Sequence, residues 1–111
     1  MKNVYLISSG EDENKRYKIG ITKNPPLVRL KQLSTGNSEK MEIVHVFQSK
    51  WATKLESILH RTYQIDNIRG EWFKLSQKQV DNFIWECQNL ETSIDLIINH
   101  STFQNPKTII R

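Results

Sequence analysis

Residues 4–7 read VYLI and residues 17–22 read YKIGIT, and these two runs decide the fold. Aromatic and β-branched residues favour strands, and the polar residues 8–16 between the runs predict a hairpin with a long, solvated loop. Because side chains alternate along a strand, the odd-numbered residues of the second run share an apolar face. Lys18 is therefore expected to point away from the apolar side.

The remainder of the chain predicts helices that pack against these strands. Asn24 is expected to cap the first helix, and Gly36 is expected to end it. Ser76 and Gln79 form a capping box at the start of the last helix. That helix is expected to break near residues 90–93. Apolar spacing then predicts a helix at residues 24–34, a strand at 41–47 and a second helix at 51–63. An extended run at 71–75 and a long helix at 76–98 follow. Since every apolar face must be buried, the expected fold is α/β (α+β), with a small antiparallel three-stranded sheet flanked by helices.

Length and composition limit the kinds of protein that this chain can be. A chain of 111 residues fits one core, and 37% apolar with 25% charged residues is ordinary for a globular protein. No apolar stretch approaches the roughly 18 residues that a membrane span requires, and the N-terminal residues do not resemble a targeting segment. We therefore expect no membrane association and an intracellular location.

Charge and cysteine content point in the same direction. The formal net charge of +4 and the pI near 9.3 favour a polyanionic partner, although a basic balance alone does not identify one. Cys87 is the only cysteine, which excludes an intramolecular disulfide and a cysteine-based zinc site. Glu56 and His60 are spaced as a metal pair, but neither His45 nor His100 is obviously placed to complete a zinc site.

Several short motifs occur in an order that resembles one nuclease family. Residues 3–5 (NVY) and 18–20 (KIG) resemble the paired strand motifs of the GIY-YIG nuclease superfamily, in the branch of phages and large DNA viruses whose second motif reads KIG. Residues 29–30 (RL) resemble its helix arginine, residues 55–60 (LESILH) its metal-binding helix, and residues 70–73 (GEWF) a further signature of that branch. The ordered matches cover roughly residues 3–75, and their joint occurrence is far more specific than any one motif.

The resemblance implies a role for each matching side chain. Glu56 would bind Mg²⁺ or Mn²⁺, Tyr5 would act as or orient the general base, and Arg29 would hold the phosphate. Lys18 stands where the family often has its second tyrosine, and its positive charge would favour a tyrosinate at Tyr5. His60, one helical turn beyond Glu56, would orient water or contact phosphate. Contacts to the DNA backbone are expected from four further basic residues: Lys23, Lys31, Lys54 and Arg61.

The sequence therefore predicts a GIY-YIG-like nuclease domain over residues 1–100 and a C-terminal tail over residues 101–111. Taken singly, each of its candidate site residues has an ordinary structural explanation. Trp72 and Phe73 are expected in the core under the last helix, with stacking of one of the two aromatic rings on a base as the alternative. The expected function is that of a metal-dependent endonuclease that hydrolyses DNA phosphodiester bonds. The alternative is a catalytically inactive, nuclease-like module that binds nucleic acid, because the second tyrosine is missing. A protein-interaction domain is the third class left open.

Overall fold

The computed structural model describes residues 1–36 and 39–103, with side chains up to residue 99. The strands are β1 (Lys2–Ser9), β2 (Arg16–Thr22), β3 (Met41–Ser49), β4 (Asn67–Arg69) and β5 (Trp72–Phe73). The helices are α1 (Pro26–Ser34), α2 (Ala52–Thr62), α3 (Gln77–Asp81) and α4 (Phe83–Phe103). Two short 3₁₀ turns, Asp12–Asn14 and Gln64–Asp66, precede β2 and β4. The mixed α+β class predicted from the sequence is confirmed.

All the strands described join one antiparallel sheet in the order β3-β1-β2-β5-β4. The predicted three strands are therefore too few, since the sheet has five. The extended run after Gly70 contributes only Trp72 and Phe73, which pair with Lys18 and Tyr17 of β2. β4 is three residues long and reads NIR, so it carries no alternating pattern that would distinguish it from a turn.

One face of the sheet carries the hydrophobic core. α2 and α4 supply fully buried side chains such as Leu55, Leu59 and Phe83, which cluster with Leu6 and Ile19 of the two central strands. Cys87 on α4 belongs to the same cluster, as expected for a small hydrophobe. Burial, assisted by Glu86 and Glu91, raises the pKa of the Cys87 thiol to about 12, so this thiol stays protonated.

α1 lies on the opposite face of the sheet. It packs over β3 and β1 yet has no buried residue, and Leu27 remains 73% exposed. The expected cap by Asn24 is wrong, because the helix begins at Pro26 and the backbone N–H of Asn24 instead donates to Thr22 Oγ1 at 3.1 Å. Proline at the first helical position needs no N–H partner, so the helix starts without a side-chain cap.

The last helical segment divides at a different place from the one predicted. Ser76 and Gln79 form the expected capping box, but α3 ends after one turn at Asp81. α4 then runs unbroken from Phe83 through Phe103, so the break predicted near residues 90–93 is wrong. The predicted tail lies, from residue 104 onward, outside the described residues. Within the described ranges, the structure contains no helix that is both long and apolar enough to cross a membrane.

Candidate active site

Tyr5 is placed by a close approach to Gly20. The two residues face each other in the β1–β2 register, and a Cβ at Gly20 would overlap the ring and hydroxyl of Tyr5. A side chain at this position is therefore incompatible with the ring. Tyr5 is 1% exposed, and its hydroxyl accepts a long hydrogen bond from Arg29 Nε at 3.5 Å. This bond is the main cause that raises the pKa of Arg29 above its usual value.

Lys18 is held by Glu71 rather than left in solvent. Its Nζ lies 2.7 Å from Glu71 Oε1, and its side chain is only 13% exposed. The backbone fixes Glu71 at this point, because the Ile19 N–H donates to the Glu71 carbonyl at 3.0 Å. Lys18 lies on the face opposite to the buried Tyr17 and Ile19, as strand alternation predicted.

His60 attaches α2 to the edge of β2. Its Nε2 donates to the Ile19 carbonyl at 2.9 Å, and its ring packs edge-on against Phe73 with centroids 5.0 Å apart. Since β5 pairs only with Tyr17 and Lys18, this contact lies where β2 continues beyond the end of β5. The expected contact of His60 with water or phosphate is thereby limited to Nδ1. Glu56 precedes His60 by one turn, on the same side of α2.

The Glu56 carboxylate is only partly accessible to solvent, and it makes no hydrogen bond or ion pair within the part of the chain that the structure describes. Burial is the largest cause that raises its pKa, followed by the nearby Glu71, whereas His60 and Lys18 lower it. A desolvated carboxylate without a donor is the kind of group that a cation stabilises. The side chains here therefore fit a divalent cation.

The described residues contain no group of three or more His, Cys, Asp or Glu side chains that could hold a metal ion. A cation at Glu56 would consequently keep most of its water or take substrate oxygens as ligands. Mg²⁺ is commonly bound in this way, through one or two carboxylates and the phosphates of a substrate.

Glu71 connects the candidate residues with one another. It pairs with Lys18 and contributes to the raised pKa values of both Arg29 and Glu56. Tyr5, which contacts Arg29 directly, completes the set. Tyr5 and Lys18 therefore have direct partners in Arg29 and Glu71, whereas Glu56 is linked to them only through the charges of Glu71 and Lys18. No role was predicted for Glu71 itself, although the GEWF motif that contains it was the signal that pointed there.

Trp72 does not lie in the core beneath the last helix, where the sequence predicted it. Phe73 is buried as expected, but consecutive strand residues face opposite sides, so only one of the two can point to the core. Trp72 shares the face of Lys18, with the Lys18 Nζ and the Arg16 Cζ each 5.6 Å from its ring. The tryptophan therefore extends the candidate site.

The four basic residues predicted to contact DNA are all exposed: Lys23, Lys31, Lys54 and Arg61. Lys23 directly follows β2, and Lys31 lies on α1. Lys54 and Arg61 are seven residues apart and form one stripe on α2, turned roughly 140–160° away from Glu56, which is nearly half a turn. Lys31 is two positions after Arg29 and therefore lies on a different side of α1, and Lys54 and Arg61 lie on the side of α2 turned away from Glu56.

Sequence comparison places the chain in a family. A family model, that of the T5orf172 domain, matches residues 2–88, which is more than half of the chain and includes every element from β1 to α3. No curated protein and no solved structure matches it. The chain belongs to the T5orf172 domain family, a phage-associated family of nuclease type.

Proposed function

We propose that this protein is a metal-dependent endonuclease of the GIY-YIG type, which hydrolyses phosphodiester bonds in DNA. One set of interactions supports the proposal. Arg29 donates to the Tyr5 hydroxyl, and Lys18 pairs with Glu71. The charge of Glu71 also acts on Arg29 and on Glu56. The hydrophobic core on the other face does not require these groups. Family membership and the net charge of +4 support DNA as the partner.

Tyr5 and Arg29 form the part of the site that would meet the attacking water and the phosphate. The Tyr5 hydroxyl is fixed by burial and lies beside a permanent positive charge. As a phenol it would orient the attacking water, and only as a tyrosinate would it accept the proton of that water. Arg29 has donors other than the Nε that faces Tyr5, and a planar guanidinium can hold two oxygens of one phosphate. Holding the water and the phosphate in place in this way lowers the activation barrier, because the reacting groups no longer lose orientational freedom in the transition state.

Glu56 would hold Mg²⁺ or Mn²⁺. Its partly desolvated carboxylate has no protein donor in the described ranges, which is the observation that supports the assignment. When bound, the ion would supply neutralisation of charge on the phosphate and on its leaving oxygen. His60 acts as a positioning residue, since its bond to the Ile19 carbonyl fixes the helical turn that carries Glu56.

A binding module without catalysis is the second candidate. It is favoured by Lys18, which replaces the second tyrosine of the resembling motif and is neutralised by Glu71 in the free protein. In that function Lys18 and Arg29 would grip phosphates without cleavage.

A cleavage assay separates the two candidates. The full chain is incubated with supercoiled plasmid, with and without Mg²⁺, alongside Glu56→Ala and the control Glu42→Ala, which removes an exposed carboxylate from β3. An endonuclease gives Mg²⁺-dependent nicking that Glu56→Ala reduces by about 100-fold or more and that the control retains. Plasmid binding without nicking supports the module, and equal nicking by both variants contradicts the role of Glu56.

A further inference from the structure

A cleft borders the candidate active site on the side of the β4–β5 hairpin. It has a volume of about 390 Å³, and its lining residues are Arg16, Ile68, Arg69, Gly70, Glu71 and Trp72. We call it the hairpin cleft. Glu71 lines it and also pairs with Lys18, so the cleft and the site share a wall.

The lining of the hairpin cleft combines an aromatic surface with positive charge. The ring of Trp72 is only partly covered, and Ile68 beside it is 50% exposed. The charged groups of Arg16 and Lys18 each lie 5.6 Å from the centre of that ring. Aromatic side chains next to cations are the usual surface on which proteins stack the bases of single-stranded nucleic acid.

The arginines of the hairpin cleft retain donors for an anion. Arg16 uses one terminal nitrogen for Glu39, at 2.7 Å, which leaves its other terminal nitrogen to donate to an anion. Arg69 is exposed at the end of β4. A ligand with a flat base and an attached phosphate would match both the tryptophan and these guanidinium groups.

The hairpin cleft is also in line with the proposed chemistry. Arg16, Lys18 and Gly20 alternate along β2 and so face the same side, in steps of roughly 6.7 Å. Trp72 is paired with Lys18, and Tyr5 with Gly20. Trp72 and Tyr5 therefore lie beside two successive positions on the same face of β2, Lys18 and Gly20.

We propose that the hairpin cleft binds one unpaired nucleotide of a DNA strand, with its base against Trp72 and its phosphate near Arg16 and Arg69. A base inside a duplex has both faces covered by its neighbours, so only an unpaired or displaced base can reach Trp72. The placement of this nucleotide next to the cleaved phosphate rests on the proposed function; the binding itself does not.

The test measures binding without catalysis. Fluorescence anisotropy of the full chain in EDTA compares a labelled mixed-sequence single strand of DNA with an abasic strand of equal length. The base-bearing strand should bind about tenfold more tightly, and Trp72→Leu should remove that difference. Arg69→Ala should weaken binding of both strands several-fold, whereas Lys78→Ala, which removes a positive charge from the exposed side of α3, should preserve the preference for bases.

The outcomes decide between the cleft and general electrostatic attraction. Equal affinity for the two strands, or a preference that survives Trp72→Leu, overturns the proposal. Should Trp72→Leu fail to fold by circular dichroism, Ile68→Glu places a carboxylate at the exposed rim instead, and a preference that survives this change is equally contradictory. If the protein does not nick plasmid but binds the base-bearing strand more tightly, the proposed nuclease function is wrong and nucleotide binding in the hairpin cleft stands. If it nicks plasmid but binds both strands equally, the nuclease function stands and nucleotide binding in the cleft is wrong.

Discussion

The two faces of the sheet differ in what they bury. On the face covered by α2 and α4, side chains such as Leu6, Ile19 and Phe83 are completely buried and apolar. On the face covered by α1, the helix buries no residue of its own, and the strands present Tyr5 and Lys18, both of which contact charged groups. The difference separates stability from chemistry: changes to the first face should unfold the protein, and changes to the second should alter what it does.

The largest expected effect tests the apolar face. Phe83→Ala should reduce the free energy of unfolding by about 3–5 kcal/mol, because it leaves a cavity in the centre of the core. That is a large part of the ~5–15 kcal/mol that stabilises a typical domain. Urea denaturation measures it. Leu27→Ala on α1 should stay within about 0.5 kcal/mol, and a comparable loss there would make α1 part of the core.

Tyr5→Phe should show the opposite behaviour. The ring still fills its place over Gly20, so stability should change by about 1 kcal/mol or less, whereas Mg²⁺-dependent nicking should fall by about 100-fold or more. The matched control is Tyr17→Phe, which removes a hydroxyl from the core side of β2 and should leave the nicking rate unchanged. A Tyr5→Phe protein that cuts at the normal rate would remove the phenol from the mechanism.

Glu71→Gln tests whether the charge of Glu71 controls the ionisation of Glu56. Glu71 is one of the groups that raise the pKa of Glu56, so its neutralisation should lower that pKa. Metal binding requires the ionised carboxylate, and the acid limb of the pH–rate profile should therefore move to lower pH, with a several-fold gain in rate on that limb. The exposed Glu42→Gln should leave the profile in place. A Glu71→Gln profile that matches the wild type would show that the two carboxylates act independently.

How far the sequence predicts this arrangement differs between the two faces as well. The apolar face follows from periodicity, because Leu55, Leu59 and Phe83 recur at helical spacing, and alternation alone placed Lys18 opposite to them. Periodicity cannot predict the pairing of strands that are only two or three residues long. β4 and β5 were therefore missed as strands, and Trp72 was assigned to the wrong side.

The candidate site depended on ordered motifs rather than on pattern. Tyr5, Lys18, Arg29 and Glu56 were named from the resemblance. The ion pair of Glu71 with Lys18, and its electrostatic effect on Arg29 and Glu56, are not visible along the chain. The bond from His60 to the Ile19 carbonyl was equally hidden, because its acceptor is a backbone group 41 positions away. Long-range contacts of this kind need the fold before they can be read.

The smallest expected effect is the loss of stability that the ionised carboxylate of Glu56 causes. Burial and Glu71 raise its folded-state pKa above the ordinary 4.5, so its ionisation reduces the free energy of unfolding as pH rises through the folded pKa. Glu56→Gln imitates the protonated carboxyl. It should raise the Tm by about 1–3 °C at neutral pH, a small gain because solvent screens the group in part. Below about pH 4 the wild-type carboxyl is itself protonated, and the two melting curves should coincide.

A variant that melts higher yet no longer nicks DNA would show that the site keeps a destabilising charge for its chemistry, as active sites often do. Lys54→Gln on the outer side of α2 serves as the control, since it removes a charge without relieving burial and should give no comparable rise in Tm. If Glu56→Gln instead lowered the Tm at neutral pH, the carboxylate would be stabilised by partners in the folded protein. The description of Glu56 as a destabilising charge that is kept for chemistry would then be wrong.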